Sequence, residues 1–425
     1  MQKNACALTP PMGWNSWDCY GASVTEETLL KNARFMADHL RQHGWEYIVC
    51  DIQWAEPTAA SCDYHPFAPL CMDAYGRLIP APNRFPSSAG GKGFAPIAQQ
   101  IHDMGLKFGI HIMRGVPRQA VHAGTPVLGT NVTARDIAHP FSLCRWNTDM
   151  YGVNPHAPGA QAYYDSLFAL YAQWGVDYVK IDDICNTNTG AHDPYSGKAE
   201  IEMYRKAIDA CGRPMVLSLS PGPAVVEHAW HLSQHANMWR ITDDFWDRWD
   251  LLKAMFERCD VWQTHVRPGC WPDCDMLPIG RLRCFDGQGE NSHFTMDEAR
   301  TMMTLWCVFR SPLMMGGDLP RSSFGAIALL QNDEALHLTL HSSGARQLAR
   351  TGDYAAWTTR DEEGRAYLAL FNLSDAPREV CAQADSLGEH GQTLYDVWEH
   401  KSVGVAGETI SALLAPHASV LYRLD

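Results

Sequence analysis

The stretch Gly175-Val176-Asp177-Tyr178-Val179-Lys180-Ile181-Asp182-Asp183 decides the fold, because it is a largely apolar run that ends in ionisable residues. Runs of this kind, as opposed to alternating ones, are typical of strands covered on both faces in parallel sheets. Acids at the carboxyl end of such a strand lie at the edge where α/β barrels place their active sites. We therefore predict a buried parallel strand over Val176–Asp183 that ends at a functional site.

Further apolar runs lie on both sides of this stretch and alternate with amphipathic segments. The predicted strands are Met12–Trp17, Glu46–Ile52, Lys107–Met113, Val176–Asp183, Pro214–Ser220, Met238–Asp244, Asp275–Ile279 and Ser311–Met315. The predicted helices include Glu26–His43, Gln161–Trp174, Ala199–Ala210, Trp249–Val261 and Met296–Val308. Eight strands separated by helical stretches indicate an α/β protein with a (β/α)₈ barrel, although the count alone leaves an open sheet as an alternative.

Beyond about Leu340 the pattern changes to short strands separated by turn-rich segments. The predicted strands there are Ala355–Thr359, Ala366–Asn372, Gln392–Asp396 and Val420–Leu424. This spacing is typical of a small antiparallel β domain. We expect a catalytic barrel over residues 1–338 and a C-terminal β domain over residues 339–425.

Composition excludes several classes of protein. The 425 residues carry a formal net charge of −14, so nucleic acid and anionic membranes are not expected partners. No apolar stretch reaches the length of a membrane span, and no signal-peptide pattern is present. The fourteen cysteines are scattered, which favours free thiols and a cytoplasmic location. Cys270 and Cys274 have no second pair at zinc-site spacing, so no metal is expected.

Three predicted strands end in carboxylates, namely strand two at Asp51, strand four at Asp182 and strand six at Asp244. Lys180 and Asp182 lie two residues apart and project to the same side of their strand. A cation at that position keeps a carboxylate ionised, as a nucleophile must be. Two carboxylates that face each other across a barrel mouth are the minimum equipment for glycoside hydrolysis.

Six motifs in chain order resemble those of the α-galactosidase (melibiase) family, glycoside hydrolase family 27. They are Pro10–Trp17 (PPMGWNSW), Tyr47–Trp54 (YIVCDIQW), Gly175–Asp182 (GVDYVKID), Trp239–Asp244 (WRITDD), Pro272–Leu277 (PDCDML) and Ser311–Leu319 (SPLMMGGDL). The resemblance covers nearly the whole chain. It implies a barrel followed by an antiparallel β-sandwich, retention of anomeric configuration and no cofactor.

The resemblance also implies roles for individual residues. Asp182 is expected to be the nucleophile and Asp244 the general acid/base. Asp51 is expected to bind sugar hydroxyls, Lys180 the hydroxyls near C3 and Arg240 the C2 side. Trp17 is expected either to form a wall against an apolar sugar face or to pack in the core.

Four features of the sequence depart from the family pattern. The second aspartate of the second-strand motif is Ile52 here, and a following cysteine is Gln53. A tyrosine of the third strand is replaced by His111, and residues 221–224 are small and uncharged. Because apolar walls discriminate weakly between hydroxyl patterns, we expect altered selection on the C4–C6 side of the sugar.

The leading interpretation is an exo-acting retaining hydrolase of terminal α-galactosyl residues, with a small oligosaccharide or glycoside as substrate. The same mechanism on another sugar remains open, as in an α-N-acetylgalactosaminidase, a β-L-arabinopyranosidase or an isomaltose- or glucan-cleaving enzyme. A catalytically silent carbohydrate-binding protein is the alternative from another class. A metal-dependent hydrolase is disfavoured because no His-x-His pair ends a predicted strand. No oligomeric state is predicted.

Overall fold

A computed structural model describes residues 2–186, 195, 197–388 and 391–425. The strands of the first 320 residues are β1 Met12–Asn15, β2 Tyr47–Cys50, β3 Lys107–Met113, β4 Val116–Pro117, β5 Ala138–Leu143, β6 Met150–Val153, β7 Tyr178–Asp182, β8 Val216–Leu219, β9 Met238–Arg240, β10 Trp271–Asp273, β11 Arg281–Leu282, β12 Glu290–Asn291 and β13 Leu313–Met315.

The α-helices of the described residues all precede residue 342. They are α1 Trp17–Tyr20, α2 Glu26–His39, α3 Ala95–Asp103, α4 Arg118–Ala123, α5 Ala134–Ile137, α6 Ala160–Trp174, α7 Lys198–Ala210, α8 Ala229–His235, α9 Trp249–Trp262, α10 Met296–Phe309, α11 Phe324–Leu329 and α12 Asp333–His341. Thr25 caps α2 by accepting the backbone N–H of Thr28, and Thr295 caps α10 by accepting that of Glu298.

Eight parallel strands form one sheet in the order β10-β9-β8-β7-β3-β2-β1-β13. A parallel bridge between Leu277, just after β10, and Met315 at the end of β13 joins the two edges of the sheet. The (β/α)₈ barrel predicted from the sequence is therefore confirmed. Chain order is preserved around the ring, apart from the small sheet β4-β6-β5 inserted after β3. The carboxyl ends of all eight strands consequently share one rim.

Aromatic and aliphatic side chains fill the barrel interior below that rim. Tyr47, Tyr178, Met238 and Trp271 belong to one buried cluster on the inner faces of the strands. Gly13 makes room for this packing, since a Cβ there would lie 2.6 Å from the Cβ of Tyr47. The interior is thus a packed core, and the polar groups that follow the strands converge at the rim.

The seventh strand differs from the prediction. It covers Trp271–Asp273 and pairs in register with Met238–Arg240, whereas the sequence favoured Asp275–Ile279, of which only Leu277 forms a bridge. Asp275 has a φ of 76°, a left-handed conformation that lies outside the β region of a regular strand. The predicted strand was therefore wrong, and Asp275 lies instead in a rim loop.

The C-terminal segment is an antiparallel β domain, as predicted. Its strands are β14 Ser343–Arg350, β15 Tyr354–Arg360, β16 Ala366–Asn372, β17 Arg378–Gln383, β18 Thr393–Asp396, β19 Lys401–Val405, β20 Thr409–Leu414 and β21 Ser419–Leu424. They form a six-stranded sheet, β14-β15-β16-β21-β18-β19, and a two-stranded sheet, β17-β20. Leu368, Val380 and Ile410 belong to the buried cluster shared by the two sheets.

The β domain packs directly against the barrel. The rings of Phe256 on α9 and Phe371 on β16 lie 4.9 Å apart, and the Trp398 indole donates to the Thr304 hydroxyl on α10 at 2.9 Å. The predicted domain boundary between residues 338 and 339 falls within helix α12. Its exact position stays a prediction.

The sequence also predicted free thiols and the absence of a membrane span. All fourteen cysteines lie among the described residues, and each is a free thiol there. Location in the cytoplasm stays a prediction. Within the described ranges, every helix is too short or too polar to span a bilayer.

Candidate active site

A cavity of about 280 Å³ opens at the carboxyl rim of the barrel. Its lining includes all six of the site residues predicted from the sequence, which are Trp17, Asp51, Lys180, Asp182, Arg240 and Asp244. They come from the ends of β1, β2, β7 and β9 or from the segments that directly follow these strands, which include the start of α1. The fold therefore brings together every predicted side chain in one pocket.

Asp182, the predicted nucleophile, is the last residue of β7 and is held by two donors. His111 Nε2 lies 3.1 Å from its Oδ2, and the backbone N–H of Asp183 donates to its Oδ1 at 2.9 Å. Burial alone raises the pKa of this carboxyl, but the hydrogen bond of His111, the charge of Lys180 and the hydrogen bond from the Asp183 backbone outweigh it, so the pKa lies below its usual value. Asp182 is accordingly an ionised carboxylate with a fixed orientation.

Lys180 and Asp51 form a buried ion pair beside Asp182. Lys180 Nζ lies 2.9 Å from Asp51 Oδ2, which also accepts the Asn15 amide at 2.8 Å. Burial raises the pKa of Asp51, but Lys180 more than offsets it and the pKa is lowered. Burial likewise lowers the pKa of Lys180, yet Asp51 and Asp182 raise it above its usual value. Lys180 is therefore a fixed cation beside two fixed anions, Asp51 and Asp182.

Asp244, the predicted acid/base, has a different environment. Its side chain is 62% exposed, whereas that of Asp182 is only 15% exposed. Arg240 binds Asp244 Oδ1 through Nη2 at 2.9 Å and Asp275 Oδ1 through Nη1 at 3.0 Å. Asp243 accepts the backbone N–H of Asp244 at 3.0 Å and also lines the cavity. The two predicted catalytic carboxylates thus differ strongly in solvation and in partners.

Apolar side chains complete the pocket wall. The rings of Trp17 and Tyr64 stack 5.8 Å apart at 15°, and Tyr64 contacts Trp146 at 5.4 Å between ring centroids. Ile52 is 5% exposed and packs with Met113, so the position directly after Asp51 presents a hydrocarbon surface. Aromatic and aliphatic walls of this kind cover the C–H faces of a sugar ring.

Several residues of the site were missed by the sequence reasoning. Asp18 lines the cavity with a buried Oδ2 that no described residue hydrogen-bonds. Its pKa is raised well above the usual value by burial and by the charge of Asp275. The only sequence signal for Asp18 was its place next to Trp17. Tyr64 and Trp146 lie in irregular loops, and the sequence marked His111 as a departure from the family pattern but gave it no role.

A (β/α)₈ barrel whose rim holds two carboxylates in unlike environments, beside an apolar wall, defines a glycoside hydrolase. Two family models match the chain. One, described as α-galactosidase A, matches residues 147–340, and the other, described as the α-galactosidase C-terminal β-sandwich domain, matches residues 351–424.

Individual relatives agree with the family models. A solved β-L-arabinopyranosidase of glycoside hydrolase family 27 from Geobacillus stearothermophilus is 54% identical, with a TM-score of 0.97 over 100% of this chain and 98% of that one. α-Galactosidase 2 of Arabidopsis thaliana is 26% identical over 100% of this chain and 91% of its own length. An α-N-acetylgalactosaminidase of Gallus gallus is 27% identical over 99% and 95%. The chain belongs to the α-galactosidase family, glycoside hydrolase family 27.

Removing the buried cation tests the electrostatics of the pocket. In Lys180→Met, Asp51 and Asp182 lose the charge that lowers their pKa values, so the acidic limb of the kcat/KM profile should move to higher pH. We expect kcat/KM at pH 7 to fall by about 100-fold or more, since a buried charge is left unpaired. Lys31→Met, at an exposed pair with Glu27, is the control and should leave both quantities unchanged. An unshifted profile in Lys180→Met would contradict this account.

Proposed function

We propose that the protein is a retaining exo-glycosidase that removes terminal β-L-arabinopyranosyl units in preference to α-galactosyl units. The observation that carries the proposal is Ile52, which puts hydrocarbon in the cavity wall directly after the sugar-facing Asp51. The family motif places a second aspartate at this position. The sequence alone ranked the α-galactosyl substrate first, and the composition of the wall reverses that order.

The two sugars differ in one group only. β-L-Arabinopyranose has the ring and hydroxyl orientations of α-D-galactopyranose, but it carries hydrogen where galactose has its hydroxymethyl group. A carboxylate at position 52 would hydrogen-bond the hydroxyls on that side, whereas Ile52 contacts only C–H groups. Because burying an unpaired hydroxyl is costly, an apolar wall favours the sugar that lacks it.

The relatives support the same assignment. The β-L-arabinopyranosidase from Geobacillus stearothermophilus is about twice as similar to this chain, at 54% identity, as the curated α-galactosidase of Arabidopsis thaliana at 26%. A variant of the Geobacillus enzyme has also been solved in complex with arabinose. These likenesses favour a pentopyranosyl substrate.

The proposed reaction proceeds by two displacements. Asp182 attacks the anomeric carbon while Asp244 gives its proton to the departing glycosidic oxygen, which leaves a glycosyl ester on Asp182. Asp244 then takes a proton from water as that water attacks the same carbon and releases Asp182. Bound sugar covers the exposed side chain of Asp244, so the proton passes directly between this carboxyl and the glycosidic oxygen.

The substrate assignment is tested with matched aryl β-L-arabinopyranoside, α-galactoside, α-N-acetylgalactosaminide and α-glucoside. We expect kcat/KM for the arabinopyranoside to exceed that for the galactoside by roughly 10-fold or more, the size of effect typical of one group in an apolar pocket. Ile52→Asp should move the ratio toward the galactoside, and Ile52→Val, which keeps the wall apolar, should not. A strict preference for the α-galactoside, retained in Ile52→Asp, would refute the proposal.

The acid/base assignment is tested by comparing leaving groups. Asp244→Ala should lose kcat/KM on alkyl or sugar aglycones by about 100-fold or more, and far less on activated aryl glycosides that leave without protonation. Asp243→Ala, which removes the neighbouring carboxylate, should affect both classes to a similar and small extent. An equal loss on both classes in Asp244→Ala, with the selective loss in Asp243→Ala, would transfer the role to Asp243.

A further inference from the structure

A second, smaller cavity of about 30 Å³ is lined by His111, which contacts the proposed nucleophile Asp182 on its other side. We name it the rear cavity, and its lining includes Ile52, Gln53, Leu70, His111, Asp149 and Met150. Ile52 also lines the sugar pocket, so its side chain stands between the two cavities. His111 likewise joins them, because its Nε2 contacts Asp182.

Three buried polar atoms of the rear-cavity residues have no hydrogen-bond partner among the described residues. They are Gln53 Oε1, His111 Nδ1 and Asp149 Oδ1. The remaining polar atoms of these side chains are occupied, since Gln53 Nε2 donates to Asp149 Oδ2 at 2.8 Å and His111 Nε2 lies 3.1 Å from Asp182. Buried polar atoms without partners are rare in native proteins, so three around one cavity require an explanation.

All three atoms are hydrogen-bond acceptors. Asp182 is a carboxylate and can only accept, so Nε2 of His111 must carry the hydrogen and, in the neutral ring, Nδ1 carries the lone pair. The Gln53 oxygen and the ionised Asp149 oxygen are acceptors as well. These groups cannot satisfy one another. The Asn147 amide lies beside Asp149 and its Nδ2 is also without a partner, so it is a protein donor available to Asp149 alone. Gln53 Oε1 and His111 Nδ1 therefore need a donor from a molecule in the cavity.

The volume matches two water molecules, at about 10–15 Å³ each. Two waters supply four O–H groups, which satisfy the three acceptors and leave one for the bond between the waters. We propose that the rear cavity holds two ordered waters that link Asp149 and Gln53 to His111, and that Gln53 and Asp149 thereby act as positioning residues for Asp182. The inference rests on the proposed role of Asp182 as nucleophile.

The proposed waters affect the mechanism by fixing the tautomer of His111. A water that donates to Nδ1 keeps the hydrogen on Nε2, where it orients Asp182 and lowers its pKa. Without that water the ring can place its lone pair against the carboxylate, which releases Asp182 and raises its pKa. Second-sphere groups that fix a tautomer in this way are familiar from metal-bound and triad histidines.

Other charged groups act on both ends of the proposed hydrogen-bond series from Asp149 to Asp182. Asp51 and Lys180 lie near His111 and Asp182, and neither changes in the variants proposed below. The pKa of Asp149 is raised to about 6, because burial and the charge of Glu56 outweigh the hydrogen bonds of Asn147 and Gln53 and the charge of Arg118. Asp149 is therefore ionised, and an acceptor, at pH 7.

The test uses two apolar replacements and one conservative one. Gln53→Met and Asp149→Leu should lower kcat by between about 10-fold and 100-fold, because a slightly misplaced nucleophile is costly, with KM changed less than twofold. In both apolar variants the acidic limb of the kcat/KM pH profile should move to higher pH. The ¹⁵N chemical shift of His111 Nδ1 should change from the value typical of an unprotonated ring nitrogen. Asp149→Asn, which keeps a polar group at the cavity, should retain most of kcat.

Asp361→Asn is the matched control, since Asp361 is a buried acid of the β domain and should alter only the melting temperature. Unchanged kcat, pH profile and His111 signal in folded Gln53→Met and Asp149→Leu would overturn the proposal. If these variants fail to fold, a high-resolution crystal structure of the wild type provides the test. The proposal requires two waters bonded to the three acceptors, and a cavity without water would contradict it. The His111 signal does not depend on which carboxylate attacks the sugar, so it separates this proposal from the proposed mechanism.

Discussion

The ion pair between Lys180 and Asp51 is the interaction on which the rest of the site depends. Both side chains are buried, at 10% and 2% exposure, so each charge is stable only in the presence of the other. The two residues lie on β7 and directly after β2, with β3 between them in the sheet, so the pair forms only when the barrel assembles in this order. The same cation then lowers the pKa of Asp182, which couples the fold of the barrel to the charge of the proposed nucleophile.

The barrel places Asp182 and Asp244 in surroundings that differ in solvent exposure and in hydrogen-bond partners. Asp182 ends a central strand and receives hydrogen bonds from His111 and a backbone amide, whereas Asp244 lies four residues beyond the end of β9 and is largely exposed. Unequal environments of this kind are how glycosidases assign one carboxylate as nucleophile and another as proton donor. In the proposed function, Ile52 selects the sugar by presenting a hydrocarbon wall where a carboxylate would select a hydroxyl.

The sequence predicted those parts of the molecule that periodicity and strand ends encode. The run from Tyr178 to Asp182 read as a buried strand, and the alternation along it placed Lys180 and Asp182 on one side, as the structure shows. The seventh strand was misplaced because Asp275 begins an apolar run, and its left-handed backbone has no signal in the sequence. Tyr64 and Trp146 come from irregular loops, whose paths depend on tertiary packing, so no periodic pattern could have located them.

The central claim is that Asp182 forms a covalent bond to the sugar, and trapping that bond tests it most directly. A 2-deoxy-2-fluoro glycosyl fluoride of the accepted sugar slows both displacements but keeps a good leaving group, so the glycosyl enzyme accumulates. Mass spectrometry of the digested protein should then find one fluorosugar on the peptide that contains Asp182, together with time-dependent loss of activity. A label on Asp244 or Asp51, or full inactivation without any covalent label, would contradict the account.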